Sequence, residues 1–212
     1  MAAELGLRER KKQQTRRLIA ETAFALFAES GFDGVTVAQV ARAADVSEAT
    51  VFNYFRTKEA LFYRDMEDFA ELGVQAVRDR APGVSAVSAY RDFVVQPRGW
   101  LDGSSPNGFE QLAKAARIVA DSPTLRARER QVLDETTARL AAVLVADTSA
   151  DVDAVEPWVV ANALVGVHRA VKDYLHRQVL TGRRDDGLTQ DVLANGKRAF
   201  DLLEAGLRKY PS

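Results

Sequence analysis

Apolar residues recur at intervals of three and four along nearly the whole chain, and no stretch sustains the apolar–polar alternation of a strand. This spacing is typical of amphipathic helices, and short groups of proline, glycine, serine and aspartate interrupt it. We therefore predict an all-α fold of about nine helices. The longer ones are predicted over residues 7–30, 58–80, 85–96, 107–121, 124–146, 156–181 and 189–209, with two short helices after the first.

The composition narrows the classes of protein that this chain can belong to. A hydrophobic fraction of 47% is enough for a sizeable core, and the absence of cysteine excludes a disulfide scaffold and a thiolate nucleophile. The N-terminus is polar and basic, unlike a secretory signal. The longest apolar run, Trp158 to Val167, is broken only by Asn162 and is too short to cross a bilayer. We expect a cytoplasmic protein with no membrane partner.

Charge is distributed unevenly along the chain. The net charge is -1, yet residues 1–17 carry six arginines and lysines against two glutamates. A basic segment on a mildly acidic body favours local contact with phosphates. The same charges also suit the solvated start of a first helix, so both interpretations stay open at this stage.

Two short helices joined by a tight turn follow the first long helix. Thr36 and Gln39 have the spacing of a capping box, and Ser47 is suited to cap the helix that begins at Glu48. Val51 and Phe55 are the inward-facing residues of that second short helix. Together with the first helix, this pattern predicts a three-helix helix-turn-helix domain.

The outward residues of this segment have side chains suited to DNA. Asn53 can pair with adenine, Glu48 can accept from cytosine, and the Ala49 methyl can meet a thymine methyl. Short donors and cations near the helix starts suit phosphates; these are Thr36, Ser47, Thr50, Tyr54 and Lys58. Each of these residues could equally have a structural role. Thr36 and Gln39 can cap the start of a helix, and Tyr54 can pack against a neighbouring helix.

The segment from Arg17 to Phe62 closely resembles the DNA-binding domain of the tetracycline-repressor (TetR) family. The matching positions keep the family's spacing throughout; they are Ala23, Leu26, Phe27, Gly31, Phe32, Val35, Thr36, Val37, Val40, Ala41, Ala44, Val46, Ser47, Thr50, Val51, Tyr54, Phe55, Lys58, Glu59 and Leu61.

The resemblance implies roles for individual positions. Thr36, Ser47, Thr50, Tyr54 and Lys58 match residues that touch phosphates in the family, and Glu48, Ala49, Phe52 and Asn53 match residues at or near the bases. Phe52 replaces a usual tyrosine, which removes a hydroxyl contact. Asp45 replaces a usual glycine in the turn, and aspartate tolerates the left-handed conformation better than most residues. The DNA-binding domain is accordingly predicted over residues 1–60.

Residues 61–212 are predicted to form a helical domain for dimerisation and ligand sensing. The helix after Pro157 is apolar on every face, and the last helix has a wide apolar face, so both must be covered. Pairing with a second copy would produce a four-helix bundle, as in the TetR family. The predicted interface residues are Ala161, Leu164, Val167, Val171, Phe200 and Leu203.

Aromatic and apolar side chains in this domain are candidates for the walls of a pocket. They are Met66, Phe69, Tyr90, Phe93, Trp100, Phe109, Leu112 and Trp158. Arg117 could meet an anionic ligand, and Asn162 and His168 are polar residues in apolar surroundings. Ordinary core packing remains the alternative for every one of them.

No enzyme motif is present: His168 and His176 lack the spacing of a helical metal pair, and no phosphate loop, dinucleotide fingerprint or nucleophile elbow occurs. We predict a non-enzymatic bacterial regulator without cofactor or metal, which binds a palindromic operator as a homodimer and releases it on binding a small hydrophobic molecule. A DNA-binding architectural protein without a ligand stays open as an alternative. Repressors are more common than activators in the family, although the sequence of this chain does not distinguish a repressor from an activator.

Overall fold

The computed structural model describes residues 6–97, 107–148, 154–183 and 187–206. Within these ranges the chain forms nine α-helices and no strand. The helices are α1 (Leu7–Ser30), α2 (Val37–Ala43), α3 (Glu48–Tyr54), α4 (Lys58–Arg78), α5 (Ala86–Val94), α6 (Gly108–Asp121), α7 (Pro123–Thr148), α8 (Val155–Leu180) and α9 (Gly187–Gly206). The predicted all-helical fold is confirmed, and none of these helices has the length and apolar character needed to span a membrane.

The chain divides into two compact units. The N-terminal unit comprises Met1–Met66 and Ile118–Arg128, and the C-terminal unit comprises Glu67–Arg117 and Glu129–Ser212. This division differs from the predicted boundary after residue 60. Leu61 and Tyr63 are buried in the core of the N-terminal unit, and the Tyr63 hydroxyl donates to the Leu125 carbonyl at 3.0 Å.

The N-terminal unit is built around the inward faces of α1, α2 and α3. Phe27 of α1, Val40 of α2 and Val51 of α3 are almost completely buried in one cluster. Burial of each such side chain stabilises the fold by roughly 1.5–3 kcal/mol. The rings of Phe27 and Phe32 pack at 4.9 Å between centroids, which ties the end of α1 to the segment that leads into α2.

The C-terminal unit has two apolar clusters. The larger joins α4, α5, α7, α8 and α9 around residues such as Val74, Tyr90, Leu140, Leu164 and Phe200. The smaller joins α6, α8 and α9 around Ala116, Leu175, Val179, Leu188 and Val192. Helix α8 contributes to both clusters, so residues far apart in the sequence are fixed relative to it.

Three of the six residues predicted for the dimer interface, Ala161, Leu164 and Phe200, are fully buried inside the chain, and this part of the prediction is wrong. Val167 and Leu203 are partly buried beside the same cluster, and their place in an interface stays a prediction. Val171 packs against the smaller cluster. The helical spacing alone could not show this, because α8 is apolar on both its inward and its outward faces.

Candidate nucleic-acid interface and effector site

Two side-chain caps fix the start of α2 and the start of α3. The Thr36 hydroxyl oxygen accepts from the Gln39 backbone N–H at 3.2 Å, and the Gln39 side-chain oxygen accepts from the Thr36 N–H at 2.7 Å. Ser47 Oγ accepts from the Thr50 N–H at 3.0 Å. Both predicted caps are present, and they satisfy amide groups that the first turn of a helix leaves without partners.

The turn between α2 and α3 passes through a left-handed residue. Asp45 has a φ of 54°, the only positive φ of a non-glycine residue in the described ranges. Short polar side chains adopt this conformation at lower cost than most others. The expectation that aspartate can replace the family's glycine here is confirmed.

One face of α3 points outward while the other anchors the helix. Val51 and Phe55 are buried, whereas Glu48, Ala49 and Asn53 are exposed. Phe52 is 50% exposed and lies beside these residues on the outward face of α3.

The remaining predicted DNA-binding residues border this face. Thr36, Gln39 and Ser47 are exposed, and Thr50, Tyr54 and Lys58 are partly buried. The Lys58 ammonium lies 4.3 Å from the centroid of the Phe32 ring, which holds its stem against the core. The basic residues of α1 are largely exposed over Arg10–Lys12, so their charges are available to an anionic partner.

In the C-terminal unit, four of the predicted pocket residues come together. The Phe69 ring of α4 lies 4.6 Å from the Phe93 ring of α5 and 5.2 Å from the His168 imidazole of α8, measured between centroids. The Tyr90 hydroxyl and His168 Nδ1 are 3.5 Å apart. We name these four residues, Phe69, Tyr90, Phe93 and His168, the aromatic cluster.

Burial governs the ionisation of the aromatic cluster. Desolvation, with a smaller contribution from the positive charge of Lys172, lowers the pKa of His168 to about 4. Desolvation raises the pKa of Tyr90 well above its ordinary value. At neutral pH both groups are therefore uncharged, and both can donate or accept hydrogen bonds.

The other predicted pocket residues lie elsewhere. Met66 packs against the core of the N-terminal unit, and Phe109 and Leu112 pack against the smaller cluster of the C-terminal unit. Arg117 is exposed on α6, because the buried side of that helix is formed by positions such as Ala113 and Ala116. Trp100 lies outside the described residues.

Trp158 and Asn162 lie on the outer face of α8. Trp158 is 44% exposed, and the exposed Asn162 side-chain amide donates to the Trp158 carbonyl at 2.8 Å. With Val155 and Val159, which are also exposed, they form a stripe along one side of the helix. Neither residue is therefore enclosed within its own subunit.

The family of the N-terminal unit follows from comparison with known proteins. Residues 19–64 match the family model described as bacterial regulatory proteins of the tetR family. The N-terminal unit therefore contains a segment that matches the TetR family. The matched segment contains the two caps, the left-handed turn and the exposed face of α3.

Relatives and solved structures extend the likeness beyond that segment. The transcriptional regulator TcmR of Streptomyces glaucescens is 28% identical over 70% of this chain and 66% of its own length, just under two thirds. The transcriptional repressor Rv1474c of Mycobacterium tuberculosis is 29% identical over 59% of this chain and 82% of its own.

Solved structures share the TetR fold at lower identity. GusR of Salmonella enterica has a TM-score of 0.54 and 18% identity, covering 92% of this chain and 96% of its own. The SmeT–triclosan complex has a TM-score of 0.55 and 18% identity, covering 91% of each chain. These structures support the architecture of both units.

Sequence reasoning treated Tyr90 only as a wall of a possible pocket and missed its pairing with His168. The two residues are 78 positions apart, and no local pattern joins them. The signal that existed was an isolated histidine on an apolar helix. It indicated a buried polar group that needs a partner, without indicating which one.

Proposed function

We propose that this TetR-family chain binds a palindromic operator as a homodimer, represses transcription there, and is released by a small hydrophobic molecule. The observation that carries the proposal is the outward face of α3, where Glu48, Ala49 and Asn53 are exposed beside the half-exposed Phe52 ring. Such a helix presents base-reading side chains to a major groove, with capped N-termini next to the phosphates. The prediction that these residues contact DNA stays a proposal.

Dimerisation is supported by the exposed stripe on α8. Val155, Trp158 and Val159 are 68%, 44% and 52% exposed, and Leu202 of α9 is 77% exposed. A second copy would cover them, and the exposed Gly166 on the same side leaves room for close approach of two helices. Two recognition helices in such a dimer would have to lie ~34–36 Å apart to enter successive major grooves.

Release by a ligand is supported by the aromatic cluster in the C-terminal unit. A pocket of apolar rings with a few polar groups is the usual setting for a small hydrophobic molecule. Among the structures that share the fold, SmeT is seen in complex with triclosan. A ligand changes operator affinity only through a difference in its affinity for two conformations, typically 1–3 kcal/mol.

The decisive experiment is a mobility shift on DNA from upstream of this protein's own gene, at a fixed salt concentration. We expect a saturable shift with the wild type and at least about 30-fold weaker binding with Asn53→Ala, because one bidentate base contact is lost in each half-site. Glu29→Ala, at an exposed position of α1, is the matched control and should bind as the wild type does.

If no shift is seen with that fragment, the next experiment is a genome-wide pull-down of bound DNA. Enrichment of one palindromic sequence would restore the proposal with a different operator. Failure to enrich any sequence would contradict it. Equal binding by Asn53→Ala and the wild type would contradict the assigned recognition face.

A further inference from the structure

The exposed side of α3 is apolar at its centre and polar at its two edges. At about 100° per residue around the helix, Phe52 and Ala49 lie between Glu48 on one side and Asn53 on the other. All four residues are exposed, and Phe52 keeps 50% of its surface in contact with solvent. The middle of this face therefore presents a ring and a methyl group, neither of which can form a conventional hydrogen bond.

The exposure of Phe52 follows from the packing of α3. Val51, the preceding residue, is 1% exposed in the core of the N-terminal unit, which turns the next side chain of the helix away from that core. In the part of this unit that the structure describes, Phe52 is neither a core residue nor one of the partly buried side chains packed against the core. Folding of the N-terminal unit therefore leaves half of this residue in water.

A major groove offers few groups that an apolar ring can contact favourably. The base edges there present hydrogen-bond acceptors and amino donors, and the one apolar substituent is the methyl group on C5 of thymine. A ring placed against an acceptor or an amino group displaces water without replacing its hydrogen bond, which costs free energy. A ring placed against the C5 methyl group buries two apolar surfaces, which is favourable. In the major groove, Phe52 would therefore discriminate among base pairs.

The polar neighbours of Phe52 do not supply this discrimination. Glu48 can accept from the amino group of cytosine and Asn53 can pair with N6 and N7 of adenine, and neither contact involves a C5 methyl group. The TetR family, which this segment resembles, usually has tyrosine at the position of Phe52. Because phenylalanine has no hydroxyl group, its contact with a base is entirely apolar.

We propose that Phe52 recognises the C5 methyl group of a pyrimidine in each half-site of the operator. The inference rests on the proposed function, because it names a feature of the bases that the exposed face of α3 selects. Two bases carry this methyl group in duplex DNA, namely thymine and cytosine that has been methylated at C5. They share the methyl group and differ in the polar group at C4, which an apolar ring cannot read.

The test begins with selection of operator sequences by the full chain from a pool of random duplexes. Each thymine of the enriched half-site is then replaced by uracil, which removes only the methyl group, at the same position of both half-sites. Mobility shifts at a fixed salt concentration compare the two duplexes. We expect one position at which uracil weakens binding of the wild type about tenfold, because one apolar contact is lost in each half-site.

A second pair of duplexes separates the two bases that carry the methyl group. At the position found with uracil, a cytosine–guanine pair is compared with the same pair carrying 5-methylcytosine. We expect the methylated duplex to bind about tenfold more tightly, because the same methyl contact is restored. A methyl effect with both bases supports the proposal for both, and an effect with thymine alone supports it for thymine.

Variants of the protein assign the methyl effect to one side chain. Phe52→Ala should abolish the difference between thymine and uracil, whereas Phe52→Leu keeps an apolar side chain and should retain a difference of about threefold. Leu72→Ala, at a position of α4 that is 52% exposed, is the matched control and should retain the whole difference. The comparison of thymine with uracil uses the unaltered wild type, so it decides the matter even if a variant fails to fold.

Three results would overturn the proposal: a selected half-site without thymine, equal binding of thymine and uracil at every position, or a full methyl effect in Phe52→Ala. The last of these would assign the contact to another side chain, such as Ala49. An enriched palindrome that binds equally with thymine and uracil overturns only the recognition by Phe52 and leaves operator binding standing. If no sequence is enriched, operator binding itself is contradicted, and the recognition by Phe52 is contradicted with it.

Discussion

The side-chain oxygens of Ser47 and Thr50 lie 2.8 Å apart at the start of α3, and Ser47 Oγ also accepts the Thr50 backbone N–H. Two residues that resemble phosphate-binding positions of the TetR family are therefore already joined to each other. Their hydroxyl groups stabilise the first turn of α3. A phosphate contact would use the remaining hydrogen-bonding capacity of the same groups.

Replacement of Ser47 by alanine tests this first turn. We expect Ser47→Ala to lower the free energy of unfolding by about 1 kcal/mol, because the Thr50 N–H loses its acceptor. Chemical denaturation followed by circular dichroism measures the change. Ser30→Ala, at the exposed end of α1, should stay within about 0.5 kcal/mol of the wild type. Equal effects of the two substitutions would contradict the role of the cap.

The left-handed turn gives a second prediction about stability. At Asp45, whose φ is 54°, we expect Asp45→Val to destabilise the protein by about 1–2 kcal/mol, because a β-branched side chain clashes with the backbone there. Asp45→Gly should change the stability by less than about 1 kcal/mol, because relief of strain and greater freedom of the unfolded chain oppose each other. Thermal unfolding of the two variants compares them directly, and a stable Asp45→Val variant would argue against this conformation.

The basic part of α1 predicts a salt effect on operator binding. Lys11 and Lys12 are exposed. If both contact phosphates in each subunit, Lys11→Ala/Lys12→Ala removes four contacts from the dimer and should reduce the slope of log K against log salt by about 3.6. Titrations at several salt concentrations measure the slope, with Lys197→Ala on α9 as the control. An unchanged slope in the double variant would mean that these two lysines are exposed to solvent and make no contact with phosphates.

Acid should destabilise the folded chain through His168. The unfolded chain has an ordinary histidine pKa of 6.5, whereas burial and Lys172 lower the folded value to about 4. The unfolded state therefore binds more protons between these two values. The stabilisation is complete above pH 6.5 and is lost on acidification toward pH 4, by about 3 kcal/mol in total.

The His168→Phe variant isolates this contribution from those of other groups. Its unfolding free energy should depend less steeply on pH in that interval, although His176, whose pKa is also lowered by burial, still titrates there. Urea unfolding of both proteins across the interval provides the measurement. Parallel curves for the variant and the wild type would show that His168 is not desolvated.

The exposed stripe of α8 predicts the oligomeric state. A glutamate in place of Val159, which is 52% exposed, would place a charge where a second copy is proposed to pack. We expect Val159→Glu to convert dimers into monomers in analytical ultracentrifugation. Ala142→Glu on the exposed side of α7 is the control and should leave the sedimentation unchanged. Dimeric Val159→Glu would exclude this face as the interface.

Prediction from sequence succeeded where the determining contacts are local. The capping box of Thr36 and Gln39, the cap at Ser47 and the ends of α1 depend on residues within a few positions of one another. Prediction failed for α8, because apolar residues occur on all sides of this helix and their spacing does not show which face is buried. Ala161, proposed for the interface, is buried, and Trp158, proposed for a pocket, is on the surface. Packing against α5 and α9 decides that orientation, and those partners are distant in sequence.

Gly73 of α4 lies against the rings that we assign to the effector. A methyl group added there would come within 3.1 Å of ring atoms of both Phe93 and Tyr90, so one of the rings would have to shift. A glycine codon becomes an alanine codon by a single nucleotide change. A single nucleotide change in the gene would therefore reshape the aromatic cluster without touching the exposed face of α3.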